Sequence, residues 1–307
     1  CMPAACLAAT ATDLHCMAQW QARGLVWLGR KVAALSPQAR ARLARGLLRL
    51  PWVNARRRRI ASINLALCFP QLDAAARRDL LQRTLRSNAT GALETLCAWF
   101  ASRAQLAGGA HITGMEHLHA ALAEGRGAVV VGAHYDGIEL AMRHVADAAG
   151  QPMPILVRRH NDAAIEAAIA QARERYAGQV FDKKDIAGFA TQVRAGKAVF
   201  YVPDQNAARR TVFVPFLGVQ AATLGAIGGV LQRCGGRVLL LWAQRDAHGV
   251  QQITLTPAWP DWPSSDDTAT AARYMQWIGE SLQAAPEQYL WVHRRFKTRP
   301  PGEPPVY

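Results

Sequence analysis

Residues 127–145, GAVVVGAHYDGIELAMRHV, change their periodicity half-way along. Val129, Val130 and Val131 make a short unbroken apolar run, the pattern of a strand covered on both faces. Gly132 ends the run. Ile138, Met142 and Val145 then recur at i, i+4 and i+7, which is one face of a helix. A buried strand that turns directly into an amphipathic helix is the start of an α/β unit, and the flanking sequence continues in the same way.

PMPILV (152–157), KAVFYVP (197–203) and RVLLLWA (237–243) are further β-rich runs. Helical spacing near 136–148, 161–176, 185–195 and 223–233 lies between or beside them, and this alternation predicts a sheet covered by helices. VQQITLT (250–256) alternates apolar with polar residues, as a strand with one wet face does. A last helix is expected over 267–284, before Pro286. The α/β part is assigned to 101–307, and a helical N-terminal, membrane-associating region to 1–100.

Within that helical region, 20–50 read as amphipathic helix, most clearly in QARARLARGLLRL (38–50). Leu43, Leu47 and Leu50 form one row and Arg42, Arg45 and Arg49 another. Two arrangements satisfy this pattern: a helix lying in a lipid headgroup layer, and a helix packed on the core with its arginines in water. The run Arg56 to Arg59 follows. Pro70 and the Gln71-Leu72-Asp73 turn separate two more helical stretches, since the residue before proline avoids the helical conformation.

The chain has 307 residues, 50% of them hydrophobic and 19% charged, which excludes a mostly disordered protein. Its 36 Lys and Arg against 22 Asp and Glu leave a formal charge of +14, so an anionic partner is expected: nucleic acid, an acidic membrane or an acidic protein. Against nucleic acid, no helix-turn-helix, RRM or zinc-finger pattern occurs. The six cysteines, Cys1, Cys6, Cys16, Cys68, Cys97 and Cys234, contain no CxxC pair, and His117, His119 and His144 have no metal-ligand spacing. Reduced thiols, no metal and no cofactor are expected. No uncharged apolar run reaches the roughly 18 residues of a membrane-spanning helix. The first twenty residues lack the charged-then-apolar order of a secretory signal.

His134 and Glu139 are the candidate chemical pair. On a continuous helix, five residues at ~100° each would point them about 140° apart. They can meet only with His134 in the strand-to-helix turn and Glu139 on the first helical turn. A neutral imidazole so placed could take the proton from a hydroxyl attacking a thioester, while a carboxylate on the other ring nitrogen held its tautomer. Asp136-Gly137-Ile138-Glu139 also fits a capping box, with Asp136 as N-cap and Glu139 at the third helical position.

HYDGIE, KAVFYVPDQN, TVFVPFLGVQAATL (211–224) and PEQYLWVHRRFKTRPPGEP (286–304) together resemble the lipid A late acyltransferases, the lauroyl and myristoyl transferases of lipopolysaccharide synthesis. RRRIASINLALCFPQL (57–72) resembles their N-terminal region, so the likeness runs in order from about residue 55 to the C-terminus. It implies a glycerolipid acyltransferase-like fold with a mixed central sheet flanked by helices. It implies an enzyme on the cytoplasmic face of the inner membrane that moves an acyl chain from acyl carrier protein to a hydroxyl on a phosphorylated glucosamine disaccharide lipid. Other glycolipid, phospholipid or polyene acceptors belong to the same superfamily.

By the same resemblance His134 and Glu139 are the catalytic HxxxxE pair. Arg158, in ILVRRHN, corresponds to an arginine after the second strand that pairs with a phosphate or polarises the carbonyl oxygen. Asp204 and Gln205, in VPDQN, line the same mouth. Thr223, in QAATL, corresponds to a threonine at a helix start, a position that also suits a plain N-cap. The sequence departs from the family at Asn206, where aspartate is more usual. His293 belongs to the matching tail and could be a packed residue or a ligand.

Overall fold

A computed structural model describes residues 11–49 and 51–307. Cys1, Cys6 and Leu50 lie outside the described residues. The stretch expected to be one amphipathic helix is two, α1 (Ala11–Ala33) and α2 (Pro37–Leu47). The break has a local cause: the Ser36 hydroxyl accepts a hydrogen bond from the Ala39 N–H at 3.2 Å, and Pro37 occupies the first helical position, where no N–H is needed. Two further helices follow, α3 (Pro51–Cys68) and α4 (Ala74–Phe100). They separate at Pro70 as expected, and Asp73 caps the second by accepting from the N–H groups of Ala75 and Ala76, both at 2.8 Å.

The leucine row of α2 is not in the core. Leu43 and Leu47 are 37% and 38% exposed, while Arg40 and Ala44 are the residues turned inward. On α1, Trp20 and Trp27 are 66% and 64% exposed, with Arg23 over the first ring and Lys31 over the second. No helix among the described residues is long and apolar enough to cross a membrane.

After a short α5 (Arg103–Leu106), strands and helices alternate: β1 (Ala110–Thr113), α6 (Met115–Ala123), β2 (Ala128–Val131), α7 (Ile138–Ala149), β3 (Ile155–Val157), α8 (Ala163–Ala177), β4 (Val180–Asp182), α9 (Ile186–Arg194) and β5 (Ala198–Tyr201). The hairpin β6 (Thr211–Phe216) and β7 (Val219–Leu224) comes next, then α10 (Ile227–Cys234), β8 (Arg237–Arg245), β9 (Gln251–Pro257) and α11 (Asp267–Ser281). Among the described residues the main sheet has seven strands in the order β1-β9-β8-β2-β5-β3-β4. From β8 to β4 all neighbours are parallel, and β9 returns antiparallel to β8. This is the expected mixed sheet flanked by helices. β2 lies centrally and its residues are fully buried, which stabilises by roughly 1.5–3 kcal/mol per valine. β9 alternates buried and more open positions over its first five residues, as its sequence predicts.

Three features were not legible in the sequence. β1 and β4 are only four and three residues long, too short to show a period. TVFVPFLGVQAATL is a hairpin whose two-residue turn places Leu217 at φ 49° and Gly218 at φ 83°, the paired positive values that tight hairpins use. The helix expected from 223 therefore starts at Ile227 instead. α4 packs against α7 and α8, and so brings the N-terminal region up to the segment that follows β2.

Candidate active site

The chain leaves β2 through a turn held on two sides. Gly132 N–H bonds Tyr201 O at 3.0 Å on the β5 side. On the other side the C-terminal segment is laid against the turn: Leu290 N–H bonds His134 O at 2.9 Å, and Asp136 N–H bonds Gln288 O at 2.7 Å. Gly137, at φ 78°, then starts α7; a Cβ there would stand 2.6 Å from Glu94 Oε2 and 2.7 Å from Gln251 Nε2, so the position demands glycine. The capping box does not form. Asp136 turns inward and accepts from Asn88 Nδ2 at 2.8 and 2.9 Å, leaving Gly137 as the residue ahead of the helix with no side-chain cap.

His134 sits in the turn and Glu139 on the first turn of α7, as expected, but the carboxylate on the imidazole is not Glu139. Asp204 occupies that place. Its Oδ1 bonds His134 Nδ1, and its Oδ2 accepts from the His134 backbone N–H at 2.9 Å and from the Tyr289 hydroxyl at 2.8 Å. Strand register explains the pairing. Val131 faces Tyr201 across β2 and β5, so His134 and Asp204, each three residues further on, arrive opposite one another.

Asp204 is completely buried and the His134 side chain is 27% exposed. Burial works against ionising Asp204, but the imidazole's charge and the hydrogen bonds from His134 and Tyr289 outweigh it and bring the carboxyl down to about 2. Burial likewise disfavours the imidazolium, yet the Asp204 carboxylate beside it, with Glu139 further off, raises His134 above the ordinary 6.5. With Nδ1 engaged, Nε2 is the ring atom left for a substrate.

Glu139 is held elsewhere, by three residues that sequence reasoning did not single out. Trp99 Nε1–H donates to it at 2.6 Å and the Tyr176 hydroxyl at 2.7 Å, and Arg173 forms a two-pronged ion pair with it. The Arg173 guanidinium also lies 5.3 Å from the Trp99 ring centre. Although burial opposes ionisation, the Arg173 charge and the hydrogen bonds from Arg173, Tyr176 and Trp99 keep the Glu139 carboxyl below its usual value. Glu139 is thus a fixed anion with its lone pairs occupied by α4 and α8.

Arg158 follows β3 and is exposed; Gln205 is exposed beside Asp204. Thr223 is neither at a helix start nor an N-cap. It lies fully buried in β7, where its hydroxyl accepts from Arg295 at 2.7 Å. Arg295 also donates to Ala222 O at 2.7 Å, so the matching tail is anchored under the hairpin. Asn206 pairs with Thr298 in both directions, at 3.1 and 2.9 Å, and its N–H bonds His293 Nε2 at 3.3 Å. Burial, followed by the charge of nearby His134, pulls His293 down to about 4, so it is neutral near pH 7. Among the described residues no group of three or more His, Cys, Asp or Glu could hold a metal ion.

A family model described as bacterial lipid A biosynthesis acyltransferase matches residues 10–298. The chain belongs to this family. Among its relatives, the lipid A biosynthesis lauroyltransferase of Escherichia coli K12 is 35% identical over 94% of both chains. The palmitoleoyltransferase of the same organism is 34% identical over 82% of both, and its myristoyltransferase 28% identical over 90% of this chain and 88% of its own. In this lipid A acyltransferase family member, the tail that carried the resemblance supplies Tyr289 to Asp204 and the backbone partners of His134 and Asp136. Tyr289 stood within a quoted motif; Arg173 and Tyr176 carried no sequence signal beyond helical spacing.

Proposed function

We propose that the protein transfers a fatty acyl chain from acyl carrier protein thioester to a hydroxyl of a phosphorylated lipid A precursor, at the cytoplasmic face of the inner membrane. The observation that carries the reading is the buried Asp204 on Nδ1 of a partly exposed His134 at the end of a central parallel strand. With Nδ1–H directed to the carboxylate, Nε2 takes the proton of the acceptor hydroxyl as its oxygen attacks the thioester carbonyl. The resulting imidazolium is stabilised by Asp204. When the C–S bond breaks, Nε2–H returns the proton to the departing sulfur, and no acyl-enzyme forms. Glu139 keeps Arg173, Trp99 and Tyr176 in place beside the turn, and Arg158 and Gln205 are proposed acceptor contacts.

Membrane residence is supported by the exposed Trp20 and Trp27 with their neighbouring cations and by the open leucine row of α2. The acidic carrier is supported by the +14 charge. The test incubates purified protein with acyl carrier protein thioesters of several lengths and a tetraacylated lipid A precursor, and weighs the products. One added acyl group, absent with His134→Ala protein, is expected. Acylation of glycerolipids with none of the lipid A precursor would overturn the assignment. Rates from carrier thioester should fall steeply with salt, and coenzyme A thioesters should react more slowly and respond less.

A further inference from the structure

The loop that leaves β5 ties down two imidazoles of opposite polarity. Asp204 takes Nδ1 of His134, and two residues later the Asn206 backbone N–H donates to Nε2 of His293 at 3.3 Å. Two residues of chain span at most ~7 Å, so the two rings are anchored close together. A backbone N–H can only donate, so His293 Nε2 carries a lone pair and the proton of the neutral ring is on Nδ1. His134 has the reverse arrangement: its Nδ1 is turned to Asp204 and its free Nε2 is an acceptor.

The backbone under the His293 ring is fixed on both sides. Its N–H bonds Leu290 O at 2.9 Å, and it is the N–H of the same Leu290 that bonds His134 O. Its carbonyl accepts from the buried Asn64 Nδ2 and from Arg295 N–H, both at 2.8 Å. Asn206, on the other side of the ring, is locked to Thr298. Yet His293 is only half-buried, and among the described residues nothing bonds its Nδ1. Burial, then the His134 charge, keep the ring neutral down to about 4. A neutral donor suits this place, because a second cation would oppose the imidazolium that forms on His134.

We propose that His293 is a further catalytic residue, whose Nδ1–H donates a hydrogen bond to the thioester carbonyl oxygen while His134 Nε2 deprotonates the attacking hydroxyl. The assignment rests on the acyltransferase reading and adds the group that receives the developing negative charge. As the new C–O bond forms, the carbonyl π pair moves onto oxygen, where Nδ1–H stabilises it. When that pair returns and the C–S bond breaks, the proton held by His134 goes to sulfur. His293 keeps its own proton throughout.

Two substitutions separate chemistry from tethering. A glutamine side chain reaches the Nε2 position, so His293→Gln keeps an acceptor for Asn206 N–H and loses the Nδ1 donor. An asparagine reaches the Nδ1 position, so His293→Asn keeps the donor and loses the tether. With the fold checked by circular dichroism, His293→Gln should lower kcat from carrier thioester to lipid A precursor on the order of 10²–10³-fold. Both KM values and the pH inflection of the rate should stay where they are in wild type. His293→Asn should regain roughly tenfold or more of the lost rate. Glutamine as active as asparagine or more so, or a moved inflection in His293→Gln protein, would overturn the proposal. Should wild type transfer nothing to the precursor, the acyltransferase reading fails by itself, and the donor is judged on acyl carrier protein bearing a ketone analogue of the thioester with an isotope-labelled carbonyl carbon. Binding to wild type must move that carbonyl resonance downfield and binding to His293→Gln protein must not; equal shifts, or none, refute the hydrogen bond.

Discussion

The carboxylate of Asp204 holds both the backbone N–H and the imidazole Nδ1 of His134, from a position with no exposure to solvent. Two bonds to one residue fix the turn and the ring together, which a partner on α7 reaching only the ring could not do. The tautomer that exposes an unprotonated Nε2 is therefore built into the pairing of β2 with β5.

Asp204→Asn should lower transfer on the order of 10²–10⁴-fold while circular dichroism is unchanged, because the amide no longer stabilises the imidazolium. On the proposed mechanism His134 works unprotonated, so the wild-type rate should climb with pH through a pKa above 6.5, and the residual rate of the Asp204→Asn protein through a lower one. Rate profiles of both proteins from pH 5 to 9 check this; superimposable profiles would refute the pairing.

Glu139→Gln should cost stability as well as rate. It leaves the Arg173 charge, 15% exposed, without its partner, and breaking such a pair costs about 3–5 kcal/mol. His134→Ala should abolish transfer while circular dichroism shows the fold retained. Since the Glu139 carboxyl is lowered, its contribution is present above 4.5 and lost as pH falls through the lowered value. A Glu139→Gln protein as stable as wild type at pH 7 would contradict the clamp.

Thr223→Val should destabilise by about 1–3 kcal/mol, the cost of leaving a buried Arg295 donor unsatisfied, without altering KM for the acceptor. Denaturant titration and steady-state kinetics separate the two effects. A large rise in KM at unchanged stability would return Thr223 to the substrate.

Asp136 provides a stability signature of opposite sign. Burial, reinforced by the charge of Glu94 against the pull of Arg245 and Asn88, raises its carboxyl to about 7. The folded state thus holds a proton that the unfolded chain releases near 3.8, and stability should fall as pH rises between these values. Asp136→Asn should remove that slope, measured by urea melts at pH 5 and 8.

If α1 makes the proposed membrane contact, Trp20→Ala/Trp27→Ala protein should bind anionic vesicles roughly tenfold or more weakly than wild type, since each ring would give up an apolar contact with the acyl boundary. Co-sedimentation at two salt concentrations measures it. Unchanged binding would move the membrane contact away from α1.

The amino-acid order by itself determined the alternating architecture, the Pro70 break, the turn that carries His134 and the family resemblance, because these rest on local periodicity and contiguous motifs. Val129 to Val131 followed by Ile138, Met142 and Val145 is legible in nineteen residues. What only the tertiary structure decided is which side chains meet. His134 and Asp204 are 70 residues apart and meet through the register of β2 on β5, which no local pattern encodes. Glu139 is drawn to Trp99, Arg173 and Tyr176 because α4 and α8 pack across α7, and Thr223 turns into a strand because hairpin pairing with Val212 outweighs the helical signal that follows it. Partner choice of this kind is long-range: the energy that selects it comes from burial and hydrogen bonding across the sheet, and exists only once the sheet has formed.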